Sequence, residues 1–347
     1  MPLFQKKNSA IYISSRIRLA RNLAHTRFVN SADDNLLEDI RSKCADALAK
    51  VQKFKGGKFY AMETLESSQR HMLEEKHWAS KELADAGVSK MGLYVSKDET
   101  CSAMINEEDH LRFQSISSGL CLGKIWRTIN SVDTSAERFL EYAFSPEYGY
   151  LTACLTNVGT GMRASVMMHL SGLTHIGEIE RVVRGLNQLG MVVRGASGEG
   201  SDSYGAFYQL SNQQTLGISE DEIVKKISKF AKKLAEFEIN ARYKLLEDRP
   251  LFLADKIERA RAVLASCRLI SASEAIGHLA NLRMASDMGL LDGDCTELLD
   301  SLITSVKPAH LREIFSLPSE VSADIRDAAR AKYLKQHIGK IPVLRKL

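Results

Sequence analysis

Up to about residue 245, segments with apolar residues at every second position are mixed with segments of helical spacing in no fixed order; beyond it only helical spacing remains. That contrast constrains the fold more than any other feature. A regular strand–helix–strand repeat would call for a parallel, doubly wound sheet, and its absence favours an α+β fold. We therefore expect an antiparallel sheet flanked by helices, followed by a small all-α domain. The boundary is placed at Asp248-Arg249-Pro250, where glycine thins out, giving domains 1–247 and 248–347.

Strand-like stretches fall at 10–17, 90–96, 102–106, 149–154, 164–170, 191–194 and 206–210, with helical patterns at 33–54, 67–87, 136–144 and 178–189. Ser219-Glu220-Asp221-Glu222 has the form of a capping box and opens a helix to about Arg242. Helical patterns at 253–267, 271–288 and 325–337 make up the tail.

A formal net charge of +4 on 347 residues is too mild and too dispersed to point to nucleic acid or an anionic membrane. No run approaches the length of apolar residues that a spanning helix needs. Met1 to Lys7 lacks the apolar stretch of a secretory leader. The six cysteines are dispersed, so they read as reduced thiols in a cytoplasmic protein, not as a disulfide frame or zinc site.

Four separated segments carry the chemistry: Ser14-Ser15-Arg16-Ile17-Arg18, Asn106-Glu107-Glu108-Asp109-His110-Leu111-Arg112, Asn157-Val158-Gly159-Thr160-Gly161-Met162-Arg163 and Arg194-Gly195-Ala196-Ser197-Gly198-Glu199. Guanidinium groups bind phosphate oxygens in pairs and keep their proton, so Arg16, Arg18, Arg112, Arg163 and Arg194, each at a strand end or turn, suit a polyphosphate clamp. The bland alternative is that each is solvated or salt-bridged. Glu107, Glu108 and Asp109 read either as a solvated turn or as an acidic site for a cationic substrate, and Glu199 sits on a Gly/Ser loop able to close over one. Cys154 is a buried structural thiol or an activated thiolate near a bound guanidinium. His77 is a packing histidine or a neighbour of adenine.

Two decoys are set aside. Gly119-Leu120-Cys121-Leu122-Gly123-Lys124 is one residue short of a P-loop and is followed by Ile125 where Ser or Thr is required, and the nine histidines contain no HExxH pair.

Across roughly residues 10–242 these motifs resemble, in order, those of the phosphagen (ATP:guanido) kinase family, which includes creatine and arginine kinases. The resemblance implies a glutamine-synthetase-like catalytic domain with ATP as phosphoryl donor and Mg²⁺ held mainly through its phosphates, with no dedicated protein metal site. It implies an ATP site of Ser14, Ser15, Arg16, Ile17, Arg18, His77, Arg112, Arg163, Ala164, Ser165, Val166, Met167, Arg194, Gly195, Ala196, Ser197, Gly198 and Glu199. It also implies that Glu107, Glu108 and Glu199 meet the guanidinium, with Glu108, Glu199 and Cys154 catalytic. Leu155 follows Cys154 where the family has Pro, a departure that alters the setting of the thiol.

Within the family the chain is similar to the bacterial protein-arginine kinase branch. Phosphagen kinases carry a helical domain ahead of the Ser-Arg-x-Arg strand, whereas here that strand begins by residue 11, from which we expect a site open to an arginine side chain on a protein. Glu199 resembles the arginine-specific members, since creatine kinases have an apolar residue there. Arg326-Asp327-Ala328-Ala329-Arg330-Ala331 matches the RDxxRA motif that lines an allosteric phosphoarginine pocket in this branch, and without that context it is a charged helix face.

The expected function is thus transfer of the ATP γ-phosphoryl group to arginine side chains of proteins, marking them for the stress response or proteolysis. A phosphagen kinase for free arginine and a non-catalytic phosphoarginine-binding adaptor are the alternatives. Expected partners are proteins with exposed arginine, a zinc-finger activator and a Clp-type protease, and the apolar helical tail suits a homodimer.

Overall fold

The computed structural model describes residues 10–85, 90–195, 204–318 and 320–345. Its strands are β1 (Tyr12–Arg21), β2 (Lys58–Ala61), β3 (Gly92–Val95), β4 (Cys101–Ile105), β5 (Leu111–Ser118), β6 (Phe144–Ser145), β7 (Gly149–Tyr150), β8 (Met162–His169), β9 (Met191–Gly195) and β10 (Phe207–Asn212). Its helices are α1 (Asp34–Lys50), α2 (Ser67–Glu75), α3 (Lys81–Asp85), α4 (Leu122–Glu137), α5 (Ser171–His175), α6 (Ile179–Gln188) and α7 (Glu220–Asp248), then α8 (Pro250–Ser266), α9 (Ala272–Asp287), α10 (Thr296–Ser305), α11 (Pro308–Phe315) and α12 (Ala323–Ile338).

Eight strands form one antiparallel sheet in the order β2-β3-β4-β5-β1-β8-β10-β9, which puts β1 and β8 at its centre. Strand side chains alternate between faces, and directly opposed residues share a face. Ile17 and Leu19 of β1 therefore lie on one face with Phe113 of β5 and Ala164 and Val166 of β8, all fully buried. Helices α4 and α7 cover that side. Burying this apolar layer supplies the main drive for folding, at about 25 cal/mol per Å² of apolar surface removed from water. The other face carries the polar alternates and is roofed at β3 and β4 by α2 and α3, through Leu73, Trp78 and Leu83 against Leu93, Val95 and Met104.

Helix α7 opens on the capping box, with the Ser219 and Glu222 side chains each accepting the other's backbone N–H. It runs on to Asp248, past the expected end. Arg249 then breaks the helix, and Pro250 takes the first position of α8, where its missing N–H costs nothing. A second apolar cluster begins with Leu245 of α7 and takes in Leu253, Ile257, Leu279, Leu282, Leu299 and Leu334 of α8, α9, α10 and α12.

Several local expectations differ from the structure. The helical pattern at 67–87 is two helices, α2 and α3, parted at residues 76–80. The helix expected at 136–144 is α4, which starts at Leu122 and ends by Arg138, while Phe144 begins a short β6–β7 hairpin. The stretch 149–154 is extended only at Gly149–Tyr150, because Cys154 already leads into a 3₁₀ turn at Leu155–Asn157. Strand β5, which carries Arg112, was not anticipated. No helix among the described residues is long and apolar enough to cross a membrane.

Candidate active site

The sheet register brings the separated arginines together. Arg18 stands opposite Gln114 of β5 on one side and Arg163 of β8 on the other; Ala20 stands opposite Arg112, and Arg16 opposite Ser165. On the next strands Met167 opposes Gln209, and Gln209 opposes Arg194. Arg16, Arg18, Arg112, Arg163 and Arg194 therefore share the polar face, four of them half-buried and Arg194 exposed. Ser14, Ser165 and Met167 lie on the same face by alternation. Ser15, Ile17, Ala164 and Val166 do not: their side chains point into the opposite layer, where the Ser15 hydroxyl donates to Gly119 O and accepts Cys121 N–H at the start of α4. These four act as framework, and only the alternate residues can meet a ligand on the arginine face. Gly195 ends β9. Ala196, Ser197, Gly198 and Glu199 lie outside the described residues.

Arg18, Arg112, Arg163 and Arg194 line a cleft of about 530 Å³ together with Glu107, Glu108, Cys154, Thr156 and Asn157. Arg16 adjoins it and donates to Gln209 Oε1 at 2.6 Å. Packing cations on one face is electrostatically costly. Burial first, and then Arg112, lower Arg16 to about 10, which leaves it charged at neutral pH. Burial followed by Arg194 lowers Arg163, with Cys154 and Glu108 acting in the other sense. Arg112 Nε is buried and has no protein partner. An anion with several oxygens answers both the charge excess and that unused donor.

The acidic hairpin between β4 and β5 sorts its three carboxylates by role. Glu107 pairs with Arg112 and accepts Ser80 Oγ, so it orients the arginine and has little left for a substrate. Asp109 Oδ1 accepts Asn22 Nδ2 at 2.6 Å and Ala153 N–H at 2.7 Å, tying the hairpin to the segment before Cys154. His110 completes the anchor, its Nδ1 accepting Leu23 N–H at 3.0 Å. Glu108 alone of the three is exposed. Its pKa is raised, by burial first and then by Asp109 and Glu107, against the pull of Arg112 and Arg163. Such a carboxylate is a stronger proton acceptor than a free one.

Two glycines fix the opposite wall. Gly159 has φ of +112°, and a Cβ there would lie 2.3 Å from Thr215 O; Gly161 has φ of +64°, with Ala20 O at 2.6 Å from such an atom. The turn can therefore press against β1 and deliver Arg163 to the cleft. Cys154 is half-buried, with Sγ 3.0 Å from Thr156 Oγ1. His77, at the end of α2, has φ of +60°, and its carbonyl accepts Gln114 Nε2 from the arginine face at 2.5 Å.

In the tail, Arg330 is 2% exposed and donates to Val306 O, Ile270 O and Asp327 Oδ1, so its guanidinium holds the helices together. Arg326 and Ala329 are half-exposed and Ala328 exposed. Ala328 and the buried Ala331 border a shallow hollow with Arg268, Lys332 and Lys335.

Several contributors escaped sequence reasoning. Gln114 alternates with Arg112 on β5 and was detectable as the second residue after it, whereas Gln209 reaches the face from β10, opposite Arg194 of β9. Asn22 and His110 were not, because their partners lie far away in sequence.

Residues 39–241 match the family model for the ATP:guanido phosphotransferase C-terminal catalytic domain, and residues 250–346 match the model for the protein-arginine kinase McsB C-terminal domain. The chain is 39% identical to the protein-arginine kinase of Halothermothrix orenii over 94% of this chain and 93% of that protein. It is 37% identical to the protein-arginine kinase of Bacillus subtilis over 95% of this chain and 90% of that protein. Among solved structures, lombricine kinase aligns with a TM-score of 0.58 at 25% identity, covering 69% of this chain and 68% of that one.

Proposed function

The chain belongs to the ATP:guanido phosphotransferase family, and from that membership we propose that it transfers the γ-phosphoryl group of ATP to the guanidinium of arginine side chains in proteins. The observation that carries this is the convergence of arginines from β1, β5, β8 and β9 on one sheet face with Glu108 at its edge.

Arg16, Arg18, Arg112, Arg163 and Arg194 grip the phosphates, and their charge disperses what builds up as the γ-phosphoryl group moves. The bond from phosphorus to the β,γ-bridging oxygen breaks, a nitrogen–phosphorus bond forms in line with it, and ADP leaves. A guanidinium holds its nitrogen lone pairs in the conjugated cation, so one proton must depart as the bond forms. Glu108 takes it, and Glu199 is assigned the other edge of the planar group. Cys154 borders the same place. Mg²⁺ held by the phosphates of the nucleotide would neutralise part of the charge that the arginines meet. The RDxxRA helix is assigned to regulation by phosphoarginine, and a zinc-finger activator and a Clp-type protease are the partners this activity would serve.

Labelled ATP offered with a protein acceptor and with free arginine in parallel tests the assignment. Acid-labile label on the protein is expected. Label confined to free arginine would replace it with a phosphagen kinase, and tight ATP binding without any transfer, even with activator added, would remove it.

A further inference from the structure

Helix α2 ends at Glu75, two residues before His77, and the C-terminal helical region grips that end. Glu75 Oε1 accepts Ala309 N–H at 2.8 Å, while Oε2 accepts His310 N–H at 3.0 Å and His310 Nδ1 at 2.7 Å. The carboxylate thereby satisfies the first turn of α11, where backbone N–H groups have no partner within the helix and favour negative charge. Both side chains are largely out of solvent, 12% exposed for Glu75 and 17% for His310.

The turn beyond Glu75 is pinned from the other side as well. His77 N–H donates to Glu74 O at 2.7 Å, and the His77 carbonyl takes the Gln114 amide from the middle of the arginine face. His77 takes its positive φ as the residue that closes α2, with Trp78 N–H donating to Leu73 O; the turn is held by Gln114 on one side and, through Glu75, by α11 on the other. His77 is exposed at the surface, yet burial first and then Lys307, Arg16 and His310 lower its imidazole to about 3, so it stands neutral. The α11 end is itself held from α12, since Arg330 Nε donates at 2.8 Å to Val306 O, the residue before the N-cap Lys307.

We propose that Glu75 is a positioning residue for the nucleotide: clasped to α11, it fixes the His77 turn against the arginine face, so that ATP affinity depends on the C-terminal region. This rests on the assignment of His77 to the nucleotide. Releasing Glu75 frees the turn while leaving the arginines and Glu108 in place, so the loss falls on ATP binding and not on the transfer step.

The test is ATP kinetics, with melting temperature in parallel, for Glu75→Gln, Glu75→Asp, His310→Ala, His77→Ala and the Glu75→Gln/His77→Ala pair. Glu75→Gln and His310→Ala should each raise KM for ATP about fivefold to tenfold with kcat within about twofold, and Glu75→Asp should recover part of the loss. Adding Glu75→Gln to His77→Ala should change KM no further, because one residue acts through the other. If His77→Ala raises KM but Glu75→Gln only lowers the melting temperature, or if the two losses add, Glu75 is structural and the proposal is overturned while the nucleotide assignment stands. If His77→Ala leaves KM unchanged, the nucleotide assignment of His77 is what fails, and the proposal goes with it.

Discussion

Arg18 on β1 faces Arg163 on β8 directly across the antiparallel pair. Like charges in that relation destabilise a sheet. The pKa of Arg18 is driven well down, by burial first and then by Arg16, Arg112 and Arg163, with Glu107 acting in the opposite sense. The centre of the sheet therefore carries a repulsion that a polyphosphate would relieve, and binding strength and intrinsic stability are opposed at these positions.

Arg163→Gln should separate the two. Phosphoryl transfer is expected to fall about 10²-fold or more, as for loss of one oxyanion-stabilising donor. The unliganded protein should gain about 0.2–1 kcal/mol from removal of the facing charge. Thermal unfolding with and without ATP checks both at once: the variant should melt at or above the parent without nucleotide and show a smaller shift with it. A variant that melts well below the parent and turns over normally would remove Arg163 from the clamp.

Glu108 governs the acid side of the pH profile. Its folded pKa lies above the ordinary 4.5, so its contribution to stability is complete below that value and is lost as pH rises through the folded pKa. At neutral pH the ionised carboxylate is therefore held at some cost, and Glu108→Gln should not destabilise the protein there. The same shift makes the base form disappear as pH falls, so kcat/KM should decline on the acid side in the parent. Glu108→Gln should abolish transfer while ATP binding, read by calorimetry, survives. Full activity in this variant would move the proton acceptor elsewhere.

How much of this was legible beforehand depended on how local each signal was. The arginines and carboxylates announced themselves by type and spacing, and the capping box at Ser219 and Glu222 is a signal contained within four residues. Helix α4 was placed too late because its N-cap, Cys121, makes no side-chain cap and so leaves no mark in the sequence. Roles set by distant partners were hidden altogether. Arg21 is the third arginine of β1 and looks like a sixth member of the clamp, yet it is buried, bidentate to Asp133 and 3.5 Å from the centre of the Tyr150 ring. Glu107 and Glu108 are adjacent, chemically identical and both line the cleft, and only the fold buries one against Arg112 and leaves the other exposed.

A buried ionic network joins the sheet to the helical tail, and it should respond to both mutation and acid. Arg283 of α9 donates to Asp287, to Ala10 O and to His169 Nδ1, while Arg242 of α7 reaches Glu238, Asp287 and His169 O. Replacing Asp287 with Asn removes the carboxylate that Arg283 and Arg242 share but leaves Arg283 on Asp300 and Arg242 on Glu238, so it should cost about 1–3 kcal/mol in denaturant unfolding. His169 is held neutral, its pKa lowered by burial first and then by Arg283 and Arg242. A depressed folded pKa gives stability that is present above the ordinary 6.5 and is lost as pH falls below it. Stability should therefore decline from about pH 6.5 downward, and His169→Gln should flatten that decline. An unchanged slope would place the acid sensitivity at another group.

The last expectation separates two arginines on one helix of the tail. Arg330 is enclosed and supports the carbonyls of Val306 and Ile270, whereas Arg326, four residues earlier on α12, is half-exposed. Arg330→Ala removes charge-assisted hydrogen bonds to buried acceptors and should cost about 3 kcal/mol or more. Arg326→Ala should change stability by less than about 0.5 kcal/mol, as surface substitutions usually do. If α12 reads phosphoarginine, a phosphoarginine peptide should bind more weakly to Arg326→Ala at unchanged melting temperature, because an exposed guanidinium can meet the phosphate without being withdrawn from the core. Any loss of binding in Arg330→Ala should track its loss of folding and recover at lower temperature. Undiminished binding in folded Arg326→Ala would take the exposed guanidinium out of the phosphoarginine site and leave the motif as scaffold.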